Sequence, residues 1–277
     1  MTGILSIQSE VAYGHVGQGA ARLALQRLGI EVAAVPTVLL AHHPAYPEGF
    51  VGRILPPEEL RSLIAGVLLR AEGLGLGAAL TGYLRTPEQL LAVADGLEAA
   101  RALRPGLTLT VDPVLGDAGR LYVDARLAEA IRTRLFPLAD LATPNLFELE
   151  VLCGRPLENL RAVIAGARSL GLPRVVVTSV PLGAERLATL LVEADAVRLV
   201  ETPLLPVDLP GTGDLFAALV AGRRALGTET GIAVSLAVSS VYAVIERSIR
   251  MQRTELALVA AQDALADPPR IFPVTPA

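Results

Sequence analysis

Short apolar runs rich in β-branched residues alternate along this chain with longer segments in which apolar residues recur at helical spacing. Ile4-Leu5-Ser6-Ile7 is a first strand-like run, and Gly29 to Val35 is a second. Ala78-Ala79-Leu80, Leu107 to Val111, Leu141-Ala142 and Arg174 to Thr178 continue the series, followed by Ala188 to Val192 and Val197 to Val200. Helical spacing covers Ala20 to Leu28, Pro56 to about Ala71, Thr86 to Leu103, Ala125 to Leu135, Phe147 to Cys153 and Leu160 to Leu170. It returns over Asp214 to Leu226, Gly231 to Arg247 and Glu255 to Leu265. Prolines and acids open the segments at Pro56-Pro57-Glu58-Glu59 and Thr86-Pro87-Glu88, where a helix start favours them. Strands alternating with helices predict an α/β fold with a doubly wound, mostly parallel sheet. No repeat or linker interrupts it, so residues 1–277 read as one domain. The polar, Pro/Gly-rich stretch His42 to Gly52 reads as a flap or small hairpin.

Polar residues fall at one recurring place in this pattern. Ser9, Tyr83, Asp112, Asn145 and Thr178 each lie just past the C-terminal end of a predicted strand. In an open α/β sheet that rim binds ligands. Gly211-Thr212-Gly213-Asp214 then opens an apolar helix. Its glycines let the backbone turn and approach a ligand, and a helix start offers free N–H groups and the positive end of a dipole to a phosphate. A carboxylate in that first turn is placed to take a proton from an attacking hydroxyl. An anion cradle beside a base is the minimum for moving a phosphoryl group onto an alcohol. The plainer reading of the same four residues is a glycine turn with a helix-capping acid.

Composition narrows the chemistry. Hydrophobic residues make up 52% of the chain, with mean hydropathy +0.51, which suits strands buried on both faces. No apolar run reaches the ~18–20 residues needed to cross a bilayer; Gly231 to Ile245 comes nearest and reads as a core helix. The N-terminus lacks the basic flank of a signal peptide, so a cytoplasmic location is expected. The net charge is −4 and there is no aromatic-studded basic patch, which argues against nucleic acid as a partner. Cys153, the single cysteine, reads as a small buried hydrophobe near a helix end. All 24 basic residues are arginine, so a Walker-type or Schiff-base lysine is excluded.

The chain resembles the pyridoxal kinases of the ribokinase-like superfamily nearly end to end. The likeness rests on Ser6-Ile7-Gln8-Ser9 with Tyr13-Gly14-His15-Val16-Gly17, on Thr81-Gly82-Tyr83, and on Asp112-Pro113-Val114-Leu115-Gly116-Asp117. It continues in Tyr122-Val123, Thr143-Pro144-Asn145-Leu146-Phe147-Glu148, Val177-Thr178-Ser179 and Gly211-Thr212-Gly213-Asp214-Leu215-Phe216. The resemblance implies a ribokinase-like three-layer α/β/α fold with a small flap. It implies phosphoryl transfer from ATP to the 5′-hydroxymethyl of pyridoxal, with pyridoxine and pyridoxamine as related acceptors. Asp214 would be the base, and the amides of Gly211, Thr212 and Gly213 would cradle the transferring phosphate. Ser9 would contact the pyridine ring, with Val16, Val38, His43 and Tyr83 around it. Asp112, Thr143, Asn145, Glu148, Thr178 and Ser179 would serve the nucleotide. Asp112, Asp117 and Glu148 would serve Mg²⁺, with a monovalent cation such as K⁺ alongside. The resemblance also implies a homodimer.

Two places depart from the family pattern. Gln18-Gly19 follows Gly17 where the family commonly has Asn-Ser. Leu39-Leu40-Ala41-His42-His43-Pro44 replaces a family flap that reads Gln-Phe-Ser-Asn-His-Thr, so the pocket loses an aromatic and a threonine. His42 and His43 read either as a substrate contact through His43 or as a solvent-facing pair. The altered flap keeps two other readings open: a kinase of another hydroxymethyl compound such as hydroxymethylpyrimidine, and a vitamer-binding protein without catalysis.

Overall fold

The structure is a computed structural model and describes residues 2–44, 46 and 49–277. Among the described residues the strands are β1 (Gly3–Val11), β2 (Glu31–Leu40), β3 (Gly52–Ile54), β4 (Leu76–Thr81), β5 (Thr108–Val111), β6 (Gly116–Asp117), β7 (Arg120–Leu121), β8 (Leu141–Ala142), β9 (Arg174–Pro181), β10 (Arg186–Glu193), β11 (Val197–Pro203) and β12 (Val274–Pro276). Ten of them form one sheet in the order β12-β11-β10-β9-β8-β5-β4-β1-β2-β3, and β6-β7 is a separate two-stranded hairpin. The six strands from β2 to β9 run parallel. Both margins turn antiparallel, at β3 and through β10 to β12. The chain leaves β1 toward β2 on one side and returns to β4 on the other. The crevice above β1 and β4 is therefore a topological switch point, where such sheets bind ligands.

Side chains alternate across β1 as the pleat requires. Ile4 packs with the helices Gln18–Arg27, Thr212–Ala225 and Thr230–Arg250, while Leu5 and Ile7 pack with Pro57–Leu68 and Pro87–Leu103. All three are fully buried, each worth about 1.5–3 kcal/mol relative to exposure. A third cluster joins β9 and β10 to the helices Leu146–Cys153 and Leu160–Ser169. Helices thus cover both faces of the sheet, which is the expected three-layer α/β/α arrangement.

The departures have local causes. β1 and β2 run well beyond the predicted limits, because polar Gln8 and Thr37 are buried and hydrogen-bonded rather than marking ends. β3, the β6-β7 hairpin and β12 are too short to show a periodicity. Residues 255–265 do not form one helix; only Asp263–Ala266 is helical, and Glu255 lies in an irregular segment before it. Helix Thr230–Arg250 has a mean hydropathy of 1.5 over eighteen residues, so length and composition would let it cross a membrane, contrary to the reading of apolar runs. In this fold 61% of that window is buried. Cys153 is half-buried beside Ser169 rather than closed off.

Candidate active site

The rim at the ends of β5 and β8 is fixed by backbone hydrogen bonds. Asn145 caps helix Leu146–Cys153: its Oδ1 accepts from the Glu148 amide at 2.8 Å, and Glu148 Oε2 accepts from the Asn145 amide at 2.9 Å. Glu148 Oε1 also accepts from the amides of Leu115 (2.8 Å) and Gly116 (3.4 Å). Asn145 Nδ2 donates to the carbonyl of Gly116 at 2.9 Å. One capping box therefore pins the 113–116 loop, in which Val114 is forced to φ 43°, a conformation a β-branched residue rarely adopts. Asp112 stands at the root of that loop, 7% exposed, and accepts from Thr143 Oγ1 at 2.9 Å.

Acids crowd this corner without a compensating base. Burial pushes the Asp112 carboxyl well above the usual range, and the charges of Glu148 and Asp214 push it further. Burial also raises Glu148, to about 7, against the pull of its three amide donors. Asp214 is raised by burial and held back by the Gly17 amide. A helix-start acid would ordinarily stay fully ionised at neutral pH; burial instead brings Asp214 closer to the range a proton acceptor needs. The charge of Asp214 is felt by Asp112, so the glycine-turn helix starts near the acidic rim.

Loop 13–17 packs against the glycine turn. Gly211 has φ 89°, and a Cβ there would stand 2.0 Å from the carbonyl oxygen of His15. Gly17 has φ 53°, and a Cβ would fall 2.2 Å from Ser9 Oγ. Both positions need glycine, for conformation and for close approach. Below them Gln18 is fully buried, accepts from Ser6 Oγ at 3.0 Å and donates to the Ser6 carbonyl at 2.8 Å. The departure after Gly17 is thus a structural plug beneath the loop.

The flap residues converge on a carboxylate that sequence reasoning missed. Glu255 Oε1 accepts from Tyr46 Oη at 2.6 Å and lies 2.8 Å from His43 Nε2, and its Oε2 accepts from the His15 amide at 3.3 Å. His43 stacks on Tyr46 with ring centroids 4.6 Å apart. The Glu255 hydrogen bond drives the Tyr46 hydroxyl up to about 12. Glu255 itself is pulled below its ordinary value, because those donors outweigh the cost of burial. His43 and His42 are both half-buried, with His42 Nδ1 3.0 Å from the His43 carbonyl, so the two are not a solvent-facing pair. Ala45, Pro47 and Glu48 of the predicted flap lie outside the described residues. No periodicity could have singled out Glu255; its partners are more than two hundred residues away.

The remaining predicted residues are distributed as follows. Ser9 and Val38 are buried, Val16 and Tyr83 half-buried, and Thr37 Oγ1 donates to the Tyr83 carbonyl at 2.7 Å. Thr178 and Ser179 lie on β9, Ser179 exposed with φ 58°. Thr212 is half-buried and Gly213 exposed at the helix start. Asp117 is exposed on β6, its carboxylate taken by the Ala118 amide. Asp112, Asp117 and Glu148 do not close into a metal cage; among the described residues no three acidic, histidine or cysteine side chains do so. Two open hollows, of about 760 and 580 Å³, lie at Leu69–Leu74 and beside Arg85 and Tyr122, and neither is lined by Asp214.

The chain is similar to known proteins over nearly its whole length. The family model described as phosphomethylpyrimidine kinase matches residues 28–258. The chain is 41% identical to a protein of Rubrobacter xylanophilus named pyridoxal kinase PdxY, over 98% of this chain and 96% of that protein. It is 36% identical to a Deinococcus radiodurans protein of the same name, over 97% and 94% of the two chains. Among solved structures, the pyridoxal kinase of Leishmania donovani in complex with ADP and pyridoxamine superposes with a TM-score of 0.92 at 31% identity, over 99% of each chain.

Proposed function

The chain belongs to the pyridoxal kinase family and is an ATP-dependent pyridoxal kinase; from that premise we propose how its own residues divide the work. Asp214 takes the proton of the 5′-hydroxyl as that oxygen attacks the γ-phosphorus of ATP, and ADP leaves. The transition state of such a transfer is loose, so positioning and charge stabilisation matter more than early deprotonation. The free amides at Gly211, Thr212 and Gly213 face the charge that spreads over the moving phosphoryl group. Ser9, Val16, Val38, His43 and Tyr83 hold the vitamer. Thr143, Asn145, Glu148, Thr178 and Ser179 hold the nucleotide, with Glu148 acting through the 113–116 loop. The observation that supports this reading is the buried setting of Asp214 at the start of the glycine-turn helix, whose charge is felt by Asp112 on the acidic rim.

The donor set fits a magnesium ion. Asp112 is buried beside two further carboxylates, and no cation is among the groups that shift it. Magnesium takes oxygen ligands, keeps several waters and is bound by one or two carboxylates together with phosphates, so a closed protein cage is not needed. Asp112 would hold it, with Glu148 and Asp117 adding negative field, and it would neutralise charge on the nucleotide phosphates.

The altered flap and the phosphomethylpyrimidine kinase match favour one second reading, a kinase of hydroxymethylpyrimidine. ADP formation with Mg-ATP separates the two when pyridoxal, pyridoxine and hydroxymethylpyrimidine are compared by kcat/KM. We expect pyridoxal to be preferred over hydroxymethylpyrimidine. A strong preference for hydroxymethylpyrimidine overturns the assignment, and tight pyridoxal binding with no ADP makes the chain a binding protein.

A further inference from the structure

We propose that Glu255 is a positioning residue for the phosphoryl transfer: it fastens His43 and Tyr46 to the loop that sets the base and the phosphate cradle. The inference rests on the pyridoxal kinase reading and adds to it a residue outside every motif that carries that reading.

Glu255 is 8% exposed and belongs to a fixed segment. Its neighbours Leu256 and Leu258 are buried in the core, and the Ala257 amide donates to Ser248 Oγ at 2.8 Å. Among the described flap residues the backbone support is lighter: β3 is three residues long and pairs with β2, the Ala41 amide donates to the Val51 carbonyl, and the Gly49 amide donates to the Tyr46 carbonyl. A short edge strand of this kind opens at little cost. Side-chain chemistry adds to that support: Tyr46 Oη and His43 Nε2 both meet Glu255 Oε1. His43 also stacks on Tyr46. Hydrogen bonds to a carboxylate are stronger than neutral ones, so this acceptor contributes strongly to where His43 and Tyr46 rest.

The other oxygen meets loop 13–17. Glu255 Oε2 takes the His15 amide, and a Cβ at Gly14 would stand 2.9 Å from that oxygen. One residue's carbonyl further on, His15 packs against the Gly211 backbone, and two residues on, the Gly17 amide reaches Asp214. A run of four residues therefore leads from Glu255 to the base and to the start of the anion cradle. Loss of the carboxylate frees His43 and Tyr46 and loosens the loop together, so the proposed vitamer pocket loosens and the hydroxyl loses its alignment. The nucleotide rim, pinned by Asn145 and Glu148, keeps its own support.

Steady-state kinetics on Glu255→Ala, Glu255→Gln and Tyr46→Phe test this. Loss of a charge-assisted hydrogen-bonded group of this kind is worth about 10–100-fold. We expect Glu255→Ala to lower kcat/KM for pyridoxal by that factor, chiefly through KM, with KM for ATP unchanged. Glu255→Gln retains part of the activity, and Tyr46→Phe, which touches only the flap, gives a smaller loss that is non-additive with Glu255→Gln. Equal effects on both substrates, or additive losses, reduce Glu255 to a structural residue and overturn the proposal. If the wild-type protein forms no ADP from pyridoxal, the kinase reading fails instead. Limited proteolysis then still decides the latch: cleavage within residues 42–52 must be faster in Glu255→Ala than in wild type, and equal rates overturn it.

Discussion

The two halves of this site are held by different means. On the side proposed for the nucleotide, Asn145 and Glu148 tie a strand end, a helix start and the 113–116 loop together through backbone amides, all within about thirty-five residues of sequence. On the side proposed for the vitamer, loop 13–17 meets His43 and Tyr46 through the carboxylate of Glu255, which arrives from the far end of the chain. A backbone-pinned rim is preorganised before any ligand binds and suits a co-substrate presented as polyphosphate. Two flap side chains meeting one carboxylate oxygen make a lighter tie, which suits a pocket that must admit and then hold its substrate. Damage on the first side ought to appear in folding stability and ATP affinity, and damage on the second in pyridoxal affinity.

The largest expected effect lies where the halves meet. Gly211→Val puts a side chain against the His15 carbonyl and demands a left-handed conformation that valine resists. Activity should fall by about 10²–10³, the scale of losing an anion-hole donor, with both substrates affected. A variant with ordinary turnover would show that the close approach of the two segments does not matter. Next in size is Glu148→Ala. It strands the buried amides of Leu115, Gly116 and Asn145, at about 1–3 kcal/mol for each unsatisfied group. Chemical denaturation should show the loss, and KM for ATP should rise while KM for pyridoxal stays. The reverse pattern would break the division between the halves.

The smallest effect is in pH. Folding raises Glu148 from 4.5 to about 7, so the folded chain keeps its proton over a range where the unfolded chain has released it. Ionising it therefore costs stability between those values and adds no further cost above them. Relative to Glu148→Gln, wild type should lose stability as pH rises from about 5 to 7 and run parallel above it. Denaturation midpoints across that range measure the difference, and parallel profiles throughout would place Glu148 in a solvated setting.

The same contrast explains what could be read from the sequence. Asn145 and Glu148 sit three apart at a helix start, a local signature, and Asp112 follows a clear β-branched run. The glycine turn and Asp214 announced themselves in four consecutive residues. The α/β class and the layers followed from periodicity, since the central strands are apolar on both faces. The antiparallel margins escaped because β3 and β12 are three residues each. Gln18 looked like a departure in the binding loop, and only the buried contact with Ser6 shows it to be a plug. Glu255 escaped for the plainest reason: its acceptor role exists only once the fold brings residues 15, 43 and 46 to it. The three carboxylates expected to hold a metal were chosen by type and place, whereas Asp117 turns outward and Glu148 is spent on amides.

The central claim is that Asp214, raised by burial and set by the Gly17 amide, is the base for the acceptor hydroxyl. Single-turnover ADP formation by Asp214→Asn, alongside pyridoxal binding by titration, tests it most directly. The account predicts pyridoxal affinity close to wild type and a turnover lower by about 10²–10⁴. Unchanged turnover, or loss of binding in equal measure, would contradict it.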